Sequence, residues 1–463
     1  MSVRPNSAAS RDIAYHLHPY TNARKNEEEG SLILDRGDGV YVIDEDGNRY
    51  LEAMAGLWCA GLGFSEKRLV DAATNQMSKL PYYHSFAQKT ATPVVDLAEK
   101  LVQITPAQLT KVFFANSGSE ANDTVVKMVW YYNNAIGRPE KKKIIGRIKG
   151  YHGVTVAAAS LTGLPYAQFD FDVPIANIIH TGAPHYYRFA EEGESETDFV
   201  DRRVRELEEL ILAEGPDTVA AFIGEPLQGA GGVIVPPAGY WEKTQAVLKK
   251  YDVLLVADEV ITGFGRTGNL FGCETFGIKP DMMSVAKQLS SAYMPISAVL
   301  VTDAIYQAIA DNSAKRGSFG HGYTYSAHPV SAAVALETLK IYEERKIVDH
   351  VRAVSPRLLD GLKAFAGHPL VGEVRGIGLI AAVELVADKA TKAPFDPLGK
   401  VGGFFAARAQ AHGVIFRNLG DTIACCPPMI ITEAEIDAVL AGFRKALDET
   451  AAFVAEQGLA QVA

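Results

Sequence analysis

Lys287 stands out by position rather than by type. It follows the short apolar run Met283-Ser-Val-Ala286, whereas most lysines lie on exposed faces. Burial disfavours an ammonium ion, lowers its pKa and frees the amine for Schiff-base chemistry. Upstream, Val253-Leu-Leu-Val-Ala-Asp258 is an apolar run ending on a carboxylate. Open α/β sheets place their ligands at the carboxyl ends of strands, and an ionised Asp258 buried there needs a cationic or metal partner. A protonated pyridine nitrogen would serve. Each stretch alone also fits a plainer account: a solvated strand end for Asp258, a surface position for Lys287.

A third stretch, Ser117-Gly-Ser-Glu-Ala-Asn122, follows the strand-like Val112-Phe-Phe-Ala115 and opens a helical pattern. Ser117 and Glu120 have capping-box spacing, which puts the helix N-terminus here. Gly118 lets backbone approach a ligand, and free N–H groups with the helix dipole favour a phosphate. Helix capping by itself would account for the hexapeptide. Gly263-Phe-Gly-Arg-Thr-Gly268 matches the dinucleotide-binding glycine pattern, but Asp258–Thr262 separate it from its strand and Asn269–Gly277 make a poor helix. The histidines form no metal-binding motif, and no metal is expected. His152 and His321 lie beside glycines, where an active-site role is open but structural hydrogen bonding is the expected one, and no nucleophile-elbow pattern supports serine hydrolysis.

These residues need a scaffold, and the pattern around them supplies one. Candidate strands are 111–115, 143–148, 218–223, 253–257, 282–285 and 296–301, with helical patterns at 94–104, 121–135 and 240–251. Apolar strands without polar alternation, separated by helices, predict a mostly parallel sheet covered on both faces. Before them lie an irregular polar segment (1–30) and strand-like runs at 31–34, 39–43 and 49–51, with Asp46-Gly47 as a hairpin turn. After about residue 330 come helices over 329–344 and 351–365, paired strands in 371–385, a helix over 402–411, a short strand at 413–417 and a closing helix over 433–453. The division expected is an N-terminal segment (1–60) joining a small domain, a large domain (61–329) and a C-terminal small domain (330–463).

The chain has 463 residues, 48% hydrophobic and 22% charged, with a net charge of −10. That acidity argues against nucleic acid or an anionic membrane as partner. The four cysteines have no spacing suited to a disulfide framework or zinc site. The polar Met1–Arg11 stretch lacks the apolar core of a secretory signal, and no apolar run reaches membrane-spanning length. A cytoplasmic location is expected.

Taken in order, Asn116–Asn122, Gly150-Tyr-His-Gly153, Gly224-Glu-Pro-Leu-Gln-Gly-Ala-Gly-Gly232, Asp258–Gly268, Ala286-Lys287 and Gly322-Tyr-Thr-Tyr-Ser-Ala-His-Pro329 resemble the class III aminotransferases over nearly the whole chain. The resemblance implies an α/β fold of the pyridoxal-phosphate fold type I (aspartate aminotransferase-like). Its large domain carries a mostly parallel sheet, and a smaller α/β domain is built from both termini. It implies pyridoxal 5'-phosphate as cofactor, with Gly118 and Ser119 at its phosphate and Thr324 of the partner subunit reaching the same phosphate. Tyr151 would stack on the ring, Val260 would pack on the other face, and Asp258 would keep the ring nitrogen protonated. Lys287 would hold the aldehyde and shuttle the proton as base and acid. Glu225 would support the backbone. The assembly implied is a homodimer with shared active sites, or a tetramer.

Within the family, the ornithine, acetylornithine and 4-aminobutyrate branches resemble one another in a glutamate where this chain has Ala230. Its absence resembles the amine:pyruvate (ω-transaminase) branch, in which Trp58 and Phe86 would line an apolar pocket and Arg417, in Val414-Ile-Phe-Arg-Asn-Leu-Gly420, would swing in to grip a keto-acid carboxylate. Gln288 departs from the glycine many relatives have after the lysine. The activity expected is transfer of an amino group from a primary amine or ω-amino acid to pyruvate or a similar keto acid. Ornithine- or 4-aminobutyrate-type transfer, an aminomutase, a racemase or a decarboxylase would use the same lysine and aspartate. A nicotinamide oxidoreductase rests only on the 263–268 glycines, and a non-catalytic binding protein would have no need of Lys287, Asp258 and Tyr151 together.

Overall fold

A computed structural model of the protein describes residues 4–459. Its centre is a seven-stranded sheet in the order Leu109–Ala115, Ser297–Thr302, Met282–Val285, Leu254–Asp258, Val219–Gly224, Lys143–Arg147 and Ile178–Thr181. Only Ser297–Thr302 runs antiparallel to its neighbours. The strands are apolar throughout because both faces are covered: every residue of Val219–Gly224 and of Met282–Val285 is buried. Side chains alternate between the faces. Val256, Met282 and Val299 meet Ala121, Val125 and Val129 of the helix Gly118–Ala135. Leu255, Met283 and Leu300 face the main core, with Phe199, Leu207 and Ile211 of the helix Glu196–Glu214.

The parallel strands share one carboxyl edge. Ser117, Glu225, Asp258 and Lys287 all fall just beyond or at those strand ends, so the four motifs read separately in the sequence meet along one line.

Two smaller sheets flank this edge. Leu34–Asp38, Tyr41–Asp44 and Arg49–Glu52 form an antiparallel meander, and Val414–Ile415 adds to it in parallel, with Leu51 opposite Val414 and Glu52 opposite Ile415. The Asp46-Gly47 turn forms as expected: Asp44 Oδ1 accepts from Asp46 N at 3.1 Å and Asn48 N at 2.8 Å, and Gly47 takes φ 87°. The first strand lies at Leu34–Asp38 rather than at 31–34. The third sheet joins Val371–Ile377, Ile380–Leu385, Thr422–Cys425 and Arg417–Leu419, all antiparallel. Residues from both ends of the chain thus share a sheet, and the expected short strand at 413–417 is split between two sheets at Phe416. Among the described residues, no helix is long and apolar enough to cross a membrane.

Candidate active site

A cavity of about 910 Å³ opens at the carboxyl edge of the central sheet. Its floor comes from that sheet: Ser117, Gly118 and Ser119 from the strand–helix junction, Val260 after Asp258, and Ala286-Lys287. The walls are Tyr151, Ala230, Tyr166, Trp58 and the Ile415–Arg417 segment.

Asp258, 3% exposed, is the last residue of its strand. Its Oδ2 accepts from Asn122 Nδ2 at 2.8 Å and lies 2.8 Å from His152 Nδ1, while Oδ1 accepts from Val260 N at 3.0 Å. A carboxylate offers about four acceptor positions. Two donors saturate Oδ2 and one leaves Oδ1 room for a further N–H. His152 therefore does what its hydrogen-bonding role suggested, but its partner is the key carboxylate itself. Asn122, which also donates to His152 O at 2.7 Å, had no role assigned from the sequence.

Lys287 lies two residues beyond the strand Met282–Val285, opening a single 3-10 turn with φ 46°. Burial lowers its pKa, partly offset by the charge of Asp258. The next residue, Gln288, takes no positive φ, so the turn does not require glycine there. Gln288 is fully buried, with Nε2 3.4 Å from Trp58 O and its backbone carbonyl accepting from Tyr342 OH at 2.9 Å.

At the helix N-terminus, Ser117 Oγ accepts from Glu120 N at 3.2 Å. The reciprocal half of the expected capping box does not form: Glu120 Oε2 instead accepts from Asn116 N and Nδ2 at 2.7 and 2.8 Å. That leaves the first-turn N–H groups of Gly118 and Ser119 without intrahelical partners, as at any helix start. A Cβ at Gly118 would sit 3.2 Å from Val260 Cγ1, a tight contact, so glycine lets the helix start lie close against Val260. Ser119 Oγ accepts from Val154 N at 3.1 Å, keeping its own proton free to donate. Glu225, buried and with its pKa raised by that burial, accepts from Tyr151 N at 3.0 Å and Gly229 N at 2.8 Å. It holds the backbone of the Tyr151 wall and of the loop bearing Ala230. Burial likewise raises the Tyr151 hydroxyl's pKa.

Trp58 and Arg417 line the cavity, so Arg417 is not a plain surface residue. Phe86 and Thr324 do not line it. Phe86 packs on Gly322, where a Cβ would be 2.7 Å from its ring, and Tyr82 OH donates to Thr324 O at 2.8 Å. Both belong to a different, exposed face of the same chain. Within one chain, Phe86 thus packs on the 322–327 segment and not beside Trp58 in the cavity.

The 263–268 glycine run serves the packing of the fold. It is a chain of turns in which Arg266 is fully buried and donates from Nη1 to Leu379 O and Pro427 O at 3.1 and 2.6 Å. The run pins the C-terminal sheet to the central one. Two His–carboxylate groups lie elsewhere. His185, Glu373 and Glu384 are tied up by Arg375 and Arg188, and Asp12, His16 and His18 form a hydrogen-bonded cluster with Ser31. Pro19, Tyr20, Glu52 and Tyr166 also line the cavity. They sit in loops, in the 3-10 turn Pro165–Ala167 or at a strand end, with no local motif to mark them.

The cavity is thus lined by a desolvated amine with a lowered pKa and a glycine-opened helix N-terminus, while the carboxylate of Asp258, two residues before the lining Val260, keeps one open acceptor position. That donor set fits a phosphorylated pyridine aldehyde. Comparison with known proteins agrees. The family profile described as aminotransferase class-III matches residues 22–447. A chloroplastic gamma aminobutyrate transaminase 3 of Solanum lycopersicum is 52% identical over 435 residues, covering 94% of this chain and 84% of the relative. The structure of an ω-transaminase from Pseudomonas jessenii in complex with PMP is 58% identical, with a TM-score of 0.96, covering 97% of this chain and 99% of that one. A thermostable ω-transaminase variant, W58M/F86L/R417L, engineered for asymmetric synthesis of enantiopure bulky amines, is 57% identical with a TM-score of 0.96, covering 97% and 100%. The chain belongs to the class III aminotransferases, of pyridoxal-phosphate fold type I, and is an aminotransferase whose cofactor is pyridoxal 5'-phosphate.

Proposed function

We propose that this aminotransferase moves the amino group of a primary amine or ω-amino acid to pyruvate or a similar keto acid. The observation that carries this reading is the charge balance of the cavity. Its cations are Lys287 and Arg417, and its one carboxylate among the lining residues, Glu52, has its oxygens occupied by backbone N–H groups. With Ala230 in place of an acid, no carboxylate among the described lining residues stands ready to neutralise Arg417. The guanidinium is left for a substrate carboxylate, while Trp58, Ile261 and Ala230 give an amine an apolar wall.

Bound pyridoxal phosphate supplies the aldehyde that takes up the amino group and the ring that accepts the released electron pair. The protein's residues divide the remaining work. Gly118 N–H, Ser119 and Thr324 of the partner subunit would hold the phosphate; Tyr151 and Val260 would enclose the ring; Asp258 Oδ1 would accept the ring N–H. Lys287 Nζ, neutral more readily because it is desolvated, would take the proton from the substrate carbon and deliver it to the cofactor carbon that had carried the aldehyde. Trp58 and Phe86 would bound the donor, Tyr151 and Ala230 would border it, and Arg417 would bind the carboxylate of the acceptor.

The assembly follows from the same roles. Phe86 and Thr324 sit together outside their own chain's cavity, beside the exposed Tyr83 and Tyr325. If they serve a site, it is that of a second copy, which supports a homodimer with shared active sites, itself able to pair into a tetramer. A cytoplasmic location belongs to this proposal as well; the tomato relative is chloroplastic. A narrower reading, 4-aminobutyrate as the donor, is favoured by that relative's activity.

A screen of donors against pyruvate and, separately, against 2-oxoglutarate tests both readings. Turnover of a carboxylate-free arylalkyl amine alongside 4-aminobutyrate is expected. Activity confined to 2-oxoglutarate as acceptor would overturn the pyruvate assignment.

A further inference from the structure

Glu52 has no part in the roles above, yet it is a buried acid, 4% exposed, at the rim of the cavity. It ends the strand Arg49–Glu52, and Ala53 N donates to Ile415 O at 2.9 Å to close that sheet. The chain then folds back on itself. Ala55, Gly56 and Trp58 take φ of 48°, 67° and 66°, a left-handed conformation disfavoured for residues with a Cβ. Such a turn persists only when its surroundings fix it.

The fixing contacts are few. Glu52 Oε1 accepts from Met54 N at 3.2 Å, and Oε2 accepts from Gly56 N. Trp58 N donates to Met54 O at 2.9 Å, and Cys59 N and Ala60 N both donate to Ala55 O. The indole then packs with Met54, Leu227, Ile261 and Ile380 while facing the cavity. Burial without a cationic partner pushes the Glu52 pKa up to about 7. A leucine or glutamine would avoid that penalty but could not accept at both ends.

We propose that Glu52 is a positioning residue for donor size: its carboxyl group clasps the Met54–Trp58 turn and so fixes the Trp58 indole as the wall of the substrate cavity. This rests on the reading of that cavity as the amine donor's site.

The test uses Glu52→Gln, alone and combined with Trp58→Gly, in the cofactor-loaded enzyme. Two quantities are measured: amide hydrogen exchange across residues 54–58, and the ratio of kcat/KM for a bulky arylalkyl amine to that for a small alkyl amine, with pyruvate. Exchange should quicken about tenfold in Glu52→Gln as the turn opens locally. The bulky-to-small ratio should rise about five-fold when Trp58 is present and change less than about two-fold in the Trp58→Gly background, because contacting residues couple and independent ones do not. An equal change of ratio in both backgrounds would mean that Glu52 acts on the substrate or on the whole fold, and would overturn the proposal. So would unchanged exchange. Should Glu52→Gln fail to fold, Glu52→Asp, too short to reach both N–H groups, is read the same way. Failure of any amine to react would sink the donor reading alone, since the exchange measurement needs no turnover.

Discussion

Replacing Asp258 by asparagine separates the electrostatic role of this residue from its structural one, and the hydrogen bonds around it set the size of each. Two donors, Asn122 Nδ2 and His152 Nδ1, converge on Oδ2. The amide oxygen of the introduced asparagine must therefore take that position, which puts its NH2 where Oδ1 was. There it faces Val260 N–H, now without its acceptor, and the place of the ring nitrogen. An unsatisfied buried N–H costs about 1–3 kcal/mol, so the apoprotein should lose that much stability and still fold. The chemistry should suffer more. The ring nitrogen would meet a donor instead of a carboxylate, and breaking a buried charge pair from one side costs about 3–5 kcal/mol. Each 1.36 kcal/mol is about tenfold in rate, so the half-reaction with amine should slow by roughly a hundred- to several-thousand-fold. Rapid mixing of cofactor-loaded Asp258→Asn with amine, followed by absorbance, measures this. Urea unfolding of the apoprotein measures the structural share. A half-reaction within about fivefold of wild type, with cofactor bound, would refute the argument.

Three further outcomes are expected. Lys287→Ala should abolish turnover yet leave the apoprotein as stable as wild type by urea unfolding, because it removes a desolvated amine from a cavity lining; near-normal transamination without added amine would reject Lys287 as the proton carrier. Arg417→Ala should weaken pyruvate by about 2–3 kcal/mol, the value of a charge-assisted bidentate pair, and a carboxylate-free amine only slightly; equal losses in the two half-reactions would rule out the guanidinium as a carboxylate clamp. His321 is held near a pKa of about 4, first by burial and then by Lys127, whose Nζ lies 2.8 Å from its Nδ1. Its folded pKa lies below the unfolded value of 6.5, so the unfolded chain takes up the proton first and stability should fall as pH drops from about 6.5 towards 4; His321→Gln should flatten that slope in urea midpoints, and an unchanged slope would place the proton uptake elsewhere.

The central sheet is legible in the sequence because its strands are buried on both faces, which writes them as uninterrupted apolar runs. Val253–Ala257 and Met282–Val285 are found within a residue of the observed Leu254–Asp258 and Met282–Val285. The signal fades where that cause is missing. Ile178–Thr181 lies at the sheet's edge, only half covered, and is four residues long. The helix Glu196–Glu214 buries five side chains in a charged sequence, so its apolar stripe is thin. The break at Phe416 is invisible because one extended stretch passes from one sheet to another: Val414 and Ile415 pair with Leu51 and Glu52 near the start of the chain, whereas Arg417–Leu419 pair with the nearby Thr422–Cys425.

The same distinction governs the site. Lys287, Asp258, Gly118 and Ser119 are marked locally, by where they fall on a strand end or helix start. Trp58, Ala230 and Arg417 carry no local mark and came only through family resemblance. Asn122, His152 and Glu52 illustrate what neither route supplies. Asn122 and His152 reach Asp258 across 136 and 106 residues of chain, and in sequence they read as a helix residue and a glycine-flanked histidine. Glu52 reads as the polar end of a strand. Its meaning lies in two N–H groups just downstream, of Met54 and Gly56, which the positive-φ turn at Ala55 and Gly56 leaves for its carboxylate to accept. Groups that perform the chemistry are constrained by the strand ends that present them; groups that set the geometry of those groups are constrained only by the fold, and become visible when the hydrogen bonds are followed outward from the carboxylate and the indole.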